Sequence, residues 1–218
     1  MDIPDSKPAN TRRAYHHGEL RKALIAAGEH LIATEGLEGF SLRACAKKVG
    51  VSPAAPAHHF GNAAGLLEAI AVDGFDYLSE RMAIAADERQ SSTPSAKLAA
   101  MARAYVDFAI ERPGSFKVTF GRTVRPSAST NEDLRAASDR AFELMAAEIR
   151  RTDPTVDLKE FLPRALFVWS FVHGLASLLS DQRMGFLEQR NITDFDLNKT
   201  VDMVIAEFER NFSTTYES

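Results

Sequence analysis

Gly50 interrupts a segment that otherwise reads as helix, and the residues around it leave few ways to fold. In FSLRACAKKVGVSPAAPAHHF, residues 40–60, Ser41 can accept a hydrogen bond from a backbone N–H at the start of a helix. Leu42, Cys45, Ala46 and Val49 follow at helical spacing as one apolar stripe, with Arg43, Lys47 and Lys48 on the other side. Gly50 falls where a sharp turn favours positive φ. Val51 returns to the small core, Ser52 offers a second cap, and Pro53 suits a first helical position, where its missing N–H costs nothing. The spacing predicts a short second helix from about Pro53 to His59, closed by Phe60 as an apolar anchor. Ala46 permits close approach of the two helices, and Ala54, Ala55 and Ala57 leave the outer backbone free to approach a surface. Two such helices about a glycine turn form the helix-turn-helix that enters the major groove of DNA.

The flanks supply the rest of a small three-helix unit. Leu20, Leu24, Ala27, Leu31 and Ile32 form a helical stripe, predicting a first helix from about His17 to Thr34 that Gly36 terminates. Before it, Arg12, Arg13, Tyr15, His16 and His17 make a basic and aromatic arm, suited to phosphates or a minor groove, or else to ordinary solvation. After the turn unit, Asn62 is a plausible cap for a long fourth helix with Leu66, Leu67, Ile70, Phe75, Leu78 and Met82 inward, which runs out of the unit into the rest of the chain.

The stretch from about Tyr15 to Leu67 resembles the DNA-binding domain of the TetR family of transcriptional regulators. The matching features are the apolar first helix, the Ser-capped second helix, the turn Gly50-Val51-Ser52, and a short recognition helix ending in His59-Phe60. The run Tyr15-His16-His17-Gly18-Glu19-Leu20-Arg21 is similar to one subgroup, whose C-terminal domain carries a Trp-His-Gly signature, present here as Trp169, His173 and Gly174. The resemblance implies a ligand-responsive repressor that binds a palindromic operator as a homodimer joined through its last two long helices. It also implies a small-molecule pocket in the second domain. Three positions depart from the pattern. Ala57 stands where a Tyr usually touches phosphate, Ala63 where a Lys usually does so, and Pro56 lies inside the short recognition helix, biasing Ala55 away from helical geometry. The first two lower the expected affinity at all DNA sequences alike.

The expected fold is therefore all-α: a flexible arm over residues 1–14, a helix-turn-helix DNA-binding domain over 15–65, and a helical ligand-binding and dimerisation domain over 66–218. The predicted DNA-contacting set is Ser41, Arg43, Lys48, Ser52, Ala54, Ala55, Ala57 and His58, together with the arm residues Arg12, Arg13, Tyr15, His16 and His17. Arg43 is the candidate for bidentate contact to guanine, or to a phosphate, and the alanines can pack on thymine methyls. Charge placement agrees. The first 65 residues hold eight Lys/Arg against six Asp/Glu and five of the six histidines, although the whole chain carries −4.

Beyond residue 93 the pattern is helix after helix. Helical stretches run over Pro94–Glu111, which is amphipathic, a short segment with Phe116, Val118 and Phe120, Asn131–Arg151, Leu158–Gln182, which is apolar over much of its surface and must be covered on several sides, and Asp196–Asn211, and Arg122–Thr130 reads as a polar loop. Surplus apolar surface on the last two long helices suggests a contact with a second copy. Candidate pocket residues are Phe116, Phe120, Phe142, Met145, Trp169 and His173, or these are simply core, and their low charge suggests an apolar or aromatic ligand. Gly174 suggests a close helix crossing.

The same reading sets aside other classes. Cys45, the single cysteine, allows no internal disulfide and fits a core position better than a redox sensor. The adjacent pairs His16-His17 and His58-His59 cannot chelate from one helix face, and there is no Gly-rich phosphate loop, Gly-x-Ser-x-Gly or Cys-x-x-Cys, so no catalytic residue, metal or cofactor is expected. Asp2 and Asp5 sit in an N-terminus without an apolar run, and the apolar segment from Ala165 to Leu179 is read as too short for a membrane span, which predicts a cytoplasmic protein. The rival function is a helical interaction module of the same fold whose DNA binding is weak or lost.

Overall fold

The computed structural model describes the backbone of residues 9–89, 92–183 and 196–216, and within these the side chains from residue 18 onward. The described residues contain helices and no strand: α1 (Ala9–Glu35), α2 (Leu42–Val49), α3 (Ala55–Phe60), α4 (Ala63–Asp87), α5 (Pro94–Glu111), α6 (Pro113–Thr119), a 3-10 turn (Pro126–Ala128), α7 (Glu132–Thr152), α8 (Leu158–Ser180) and α9 (Leu197–Tyr216). The all-α expectation is met.

α1, α2 and α3 pack around the start of α4 as a small head. Its centre is Leu24, Ile32, Cys45, Leu66 and Ile70, all fully buried. The caps read from the sequence are formed at Ser41 and Asn62. Ser41 Oγ accepts from Ala44 N at 3.1 Å, and Asn62 Oδ1 accepts from Gly65 N at 3.0 Å. Gly50 lies at φ 76°, and its N–H donates to the Ala46 carbonyl at 2.9 Å, which ends α2 and aims the chain at α3. Burial pushes the Cys45 thiol up from its ordinary value, so the group stays protonated and acts as a small apolar filler.

Three expectations need correction here. First, α1 begins at Ala9 rather than about His17, so Arg12, Arg13, Tyr15, His16 and His17 continue a helix instead of forming an arm, and their side chains lie outside the described residues. Ala9, Arg12, Arg13 and Ala14 are good helix formers with no Gly or Pro among them, and this propensity extends the helix upstream of its buried stripe. Second, α3 begins at Ala55, not Pro53, and Ser52 does not cap it. Ser52 O instead accepts from Ala55 N at 3.0 Å in a tight turn, Pro56 takes an early helical position where no N–H is needed, and its ring is buried. Third, α8 is 23 residues long, its most apolar stretch has a mean hydropathy of 1.4, and by length and composition it is sufficient to cross a membrane. The apolar run begins seven residues before Ala165, with Leu158, Phe161 and Leu162.

In the second domain α5 is central. It packs against α4, α6, α7, α8 and α9, which accounts for the near-continuous burial from Leu98 to Ala109. α9 is held by the stacked pair Phe171–Phe208, 4.7 Å between centroids, and by Arg103, which donates to Asp202 at 2.6 Å. α8 is covered on one side only: Leu158, Leu162, Leu166 and Phe167 are all exposed. Gly174 lies on this open side, and a Cβ there would meet nothing within 4 Å, so no close crossing occurs at Gly174 among the described residues.

The head and the second domain meet where α6 lies across α1. Arg112, between α5 and α6, clamps Glu29 of α1 in a two-pronged contact, Nε to Oε1 at 3.0 Å, and also reaches Asp73 of α4 at 2.7 Å. Its guanidinium lies 4.9 Å above the Tyr77 ring, whose hydroxyl donates to Glu111 at 2.7 Å. Burial works against the charge on Arg112, but the hydrogen bonds to Glu29 and Asp73 outweigh it and raise the pKa above the ordinary arginine value.

Candidate nucleic-acid interface and ligand cavity

The segment from α2 to the first turn of α4 presents a cationic, acid-free surface. From Gly39 to Leu67 the sequence contains no Asp or Glu, while Arg43, Lys47 and Lys48 are exposed along α2. Ser41, Ser52, Ala54, Ala57 and His58 are also exposed, Ala55 is half-buried, and the Pro56 ring turns inward. These predicted contact residues, except the buried side of Ala55, are thus free to meet a ligand. Phe60 anchors α3 from behind, under Arg21 of α1, whose guanidinium carbon is 5.4 Å from its ring centroid. A run of 29 residues without a carboxylate, 39–67, is a signal that the overall charge balance hides. The Ala57 and Ala63 side chains are exposed, so two of the three positions that differ from the family pattern sit on the solvent face, while Pro56 is buried.

A second site lies between α4, α5, α7 and α8, roofed by the loop after α6. It is a cavity of about 330 Å³. Of the predicted pocket residues, Phe120, Phe142, Met145 and Trp169 line it. Phe116 and His173 do not. Their rings lie 5.7 Å apart, and each packs against Tyr105 and Phe120, which do line it. Sequence reasoning missed Phe75 and Tyr105, whose helical stripes read simply as core. It also missed Arg125, Ser127 and Ser138, polar members of the lining.

The Tyr105 hydroxyl and His173 Nδ1 are 3.0 Å apart, and His173 Nε2 faces Ser177 Oγ at 3.4 Å. Burial raises the Tyr105 pKa well above its ordinary value and lowers that of His173, so both stay neutral. The sign for stability follows. The unfolded chain binds the His173 proton near 6.5 and the folded one only at lower pH. Stability should therefore be complete above pH 6.5 and fall below it, and His173→Gln should flatten that slope. Thermal midpoints at stepped pH, for parent and variant, test this; equal slopes would remove His173 as the cause.

Comparison with known proteins finds matches in both the head and the second domain. Residues 24–70 match the model of the bacterial regulatory proteins of the tetR family, and residues 98–204 match that of the tetracyclin repressor-like C-terminal domain. The chain belongs to the TetR family of transcriptional regulators. It is 33% identical over 100 residues to an uncharacterized HTH-type transcriptional regulator, YobS, of Bacillus subtilis, a match that spans 46% of this chain and about half, 51%, of that relative. A protein of unknown function from Rhodococcus sp. RHA1 superimposes with a TM-score of 0.72 at 28% identity, covering 94% of this chain and 98% of that one. PfmR, a TetR family regulator from Thermus thermophilus, gives 0.62 at 19% identity over 87% and 95% of the two chains, which shows a shared fold.

Proposed function

We propose that this chain is a ligand-responsive repressor that binds a palindromic operator as a homodimer in the cytoplasm. The observation that carries the reading is the acid-free helix-turn-helix surface with Arg43, Lys47 and Lys48 exposed on it. In this reading Arg43 contacts a guanine edge or a phosphate, and Lys48 a phosphate. A two-fold pair of heads about 34–36 Å apart fits successive major grooves. The open face of α8 supports the dimer: a second α8 seated on Leu162, Leu166 and Phe167 covers an apolar surface that one chain leaves in water, and Gly174 leaves room for it. α4 supplies the link, since Phe75, Leu78 and Met82 line the cavity and its first turn lies in the head. A ligand acts through this link only if it binds the two arrangements of the heads unequally.

The rival is an interaction module of this fold without useful DNA affinity, favoured by the exposed Ala57 and Ala63 in place of two phosphate contacts. A titration of duplex DNA at rising salt separates the two. A regulator should lose affinity with a log–log slope of several units, and a module should show almost none. On the operator selected from a random pool, Arg43→Ala should cost about 1–3 kcal/mol. Unchanged binding by that variant would remove Arg43 from the interface.

A further inference from the structure

The effector cavity is polarised, and its one charged lining residue is a cation. Arg125, on the loop after α6, lies at its rim, with Ser127 beside it. The adjoining 3-10 turn packs against α7, which contributes Ser138 to the lining. No Asp or Glu lines the cavity, and no carboxylate among the described residues pairs with Arg125. Nearby arginines are engaged: Arg140 with Asp76, and Arg103 with Asp107 and Asp202. The opposite walls, among them Met82, Leu98, Met101 and Val172, are apolar.

We infer that the effector is an apolar monocarboxylate: a chain or ring of about ten carbons in the cavity, with its carboxylate at the rim on Arg125. This deepens the reading of the cavity as an effector site and rests on it. The chemistry follows from three facts. An anion finds there a guanidinium with free donors, because Glu68, the acid of the adjoining pocket that Arg125 also lines, is held by Ser129 and Asn131, and charge-assisted bonds to arginine are stronger than neutral ones. A cationic ligand meets a like charge and no counter-ion. A wholly polar ligand loses its hydration to walls that cannot replace it. Size follows from volume. About 330 Å³ is the share of roughly eleven waters, at the small end of ligand sites. That suits a body of about ten carbons and excludes large conjugates held entirely inside.

Trp169 is the sole tryptophan and lines the cavity, so its fluorescence reports occupancy in the full chain without added labels. The probes are decanoate, 1-decanol and decylamine, three equal chains with different head groups, each below its aggregation concentration. Decanoate should bind at least about tenfold more tightly than decanol, with decylamine weakest. Arg125→Gln should abolish the advantage of decanoate and leave decanol within about twofold of its parent affinity. Arg122→Gln, at an exposed arginine outside the lining, should preserve the preference. Equal binding of decanoate and decanol by the parent, survival of the preference in Arg125→Gln, or tightest binding of decylamine would each overturn the proposal while leaving the cavity a ligand site. Silence of Trp169 to all three probes would overturn the cavity reading as well. DNA binding by the head is measured separately, by the salt titration, and does not depend on either result.

Discussion

Gly114→Ala should lower the thermal midpoint by roughly 10 °C. Gly114 is buried in the first turn of α6, where that helix lies across α1. A Cβ at this position would sit 2.0 Å from the carbonyl oxygen of Glu29, 2.9 Å from its carbon and 3.1 Å from the nitrogen of Ala33. All three are backbone atoms, so no side chain can swing aside. α1 cannot yield easily either, because Leu24, Ile25, Leu31 and Ile32 fix it in the core of the head. The helices must separate by more than an ångström, which opens the seam between head and body. Overpacking of this kind costs about 3 kcal/mol, and a chain of this length loses about 2–4 °C per kcal/mol. Gly18→Ala is the control. It is exposed within α1, an added Cβ meets nothing within 4 Å, and removal of a helical glycine should leave stability equal or slightly higher. A Gly114→Ala midpoint within about 2 °C of the parent would show that the seam tolerates a methyl group and that the two helices are not locked.

Arg112→Ala should destabilise the fold by about 2–3 kcal/mol, read from urea unfolding midpoints. From the break between α5 and α6, the guanidinium joins three partners on two helices, Glu29 of α1 and Asp73 and the Tyr77 ring of α4. Its side chain is 20% exposed and that of Glu29 17%, so the pair is shielded without being sealed, and the figure is set below that for a fully buried pair. The loss comes mainly from Glu29, left charged in a half-buried site without its two donors. Two checks isolate this cause. Arg112→Lys should recover less than about half of the loss, since an ammonium cannot supply the fork or lie flat on Tyr77. In a double-mutant cycle, Glu29→Gln and Arg112→Ala should couple by at least about 1 kcal/mol. A loss below about 0.5 kcal/mol for Arg112→Ala, or no coupling, would reduce the clamp to surface decoration.

Local chemistry was legible in the sequence where it is decided by neighbours a few residues apart. Ser41, Gly50, Asn62 and the break at Arg112-Pro113 each act within one helical turn, and the structure forms all of them. The start of α3 was misplaced because two prolines compete there. Pro53 and Pro56 each suit an early helical position, and burial of the Pro56 ring decides between them, which is a tertiary effect. The cavity was half legible for a similar reason. Aromatic residues announce a core, but which of them face an empty space depends on how α4, α5, α7 and α8 are set apart. Tyr105 lines the cavity while Phe116 and His173, packed against its ring, do not, an order no periodicity encodes. Arg125 sits in a loop without periodicity, and only the folded chain brings it to the rim.

α8 is one helix thick between two very different surroundings. Val168 and Val172 are buried against the cavity, while Leu166, two residues before Val168, is exposed on the other side. If a second copy covers that outer side, any molecule that fills the inner side must work against or with the same rod. Sensitivity to the small molecule would then drift with protein concentration, and the strength of pairing would drift equally with dose, since such a dependence runs in both directions by the same factor.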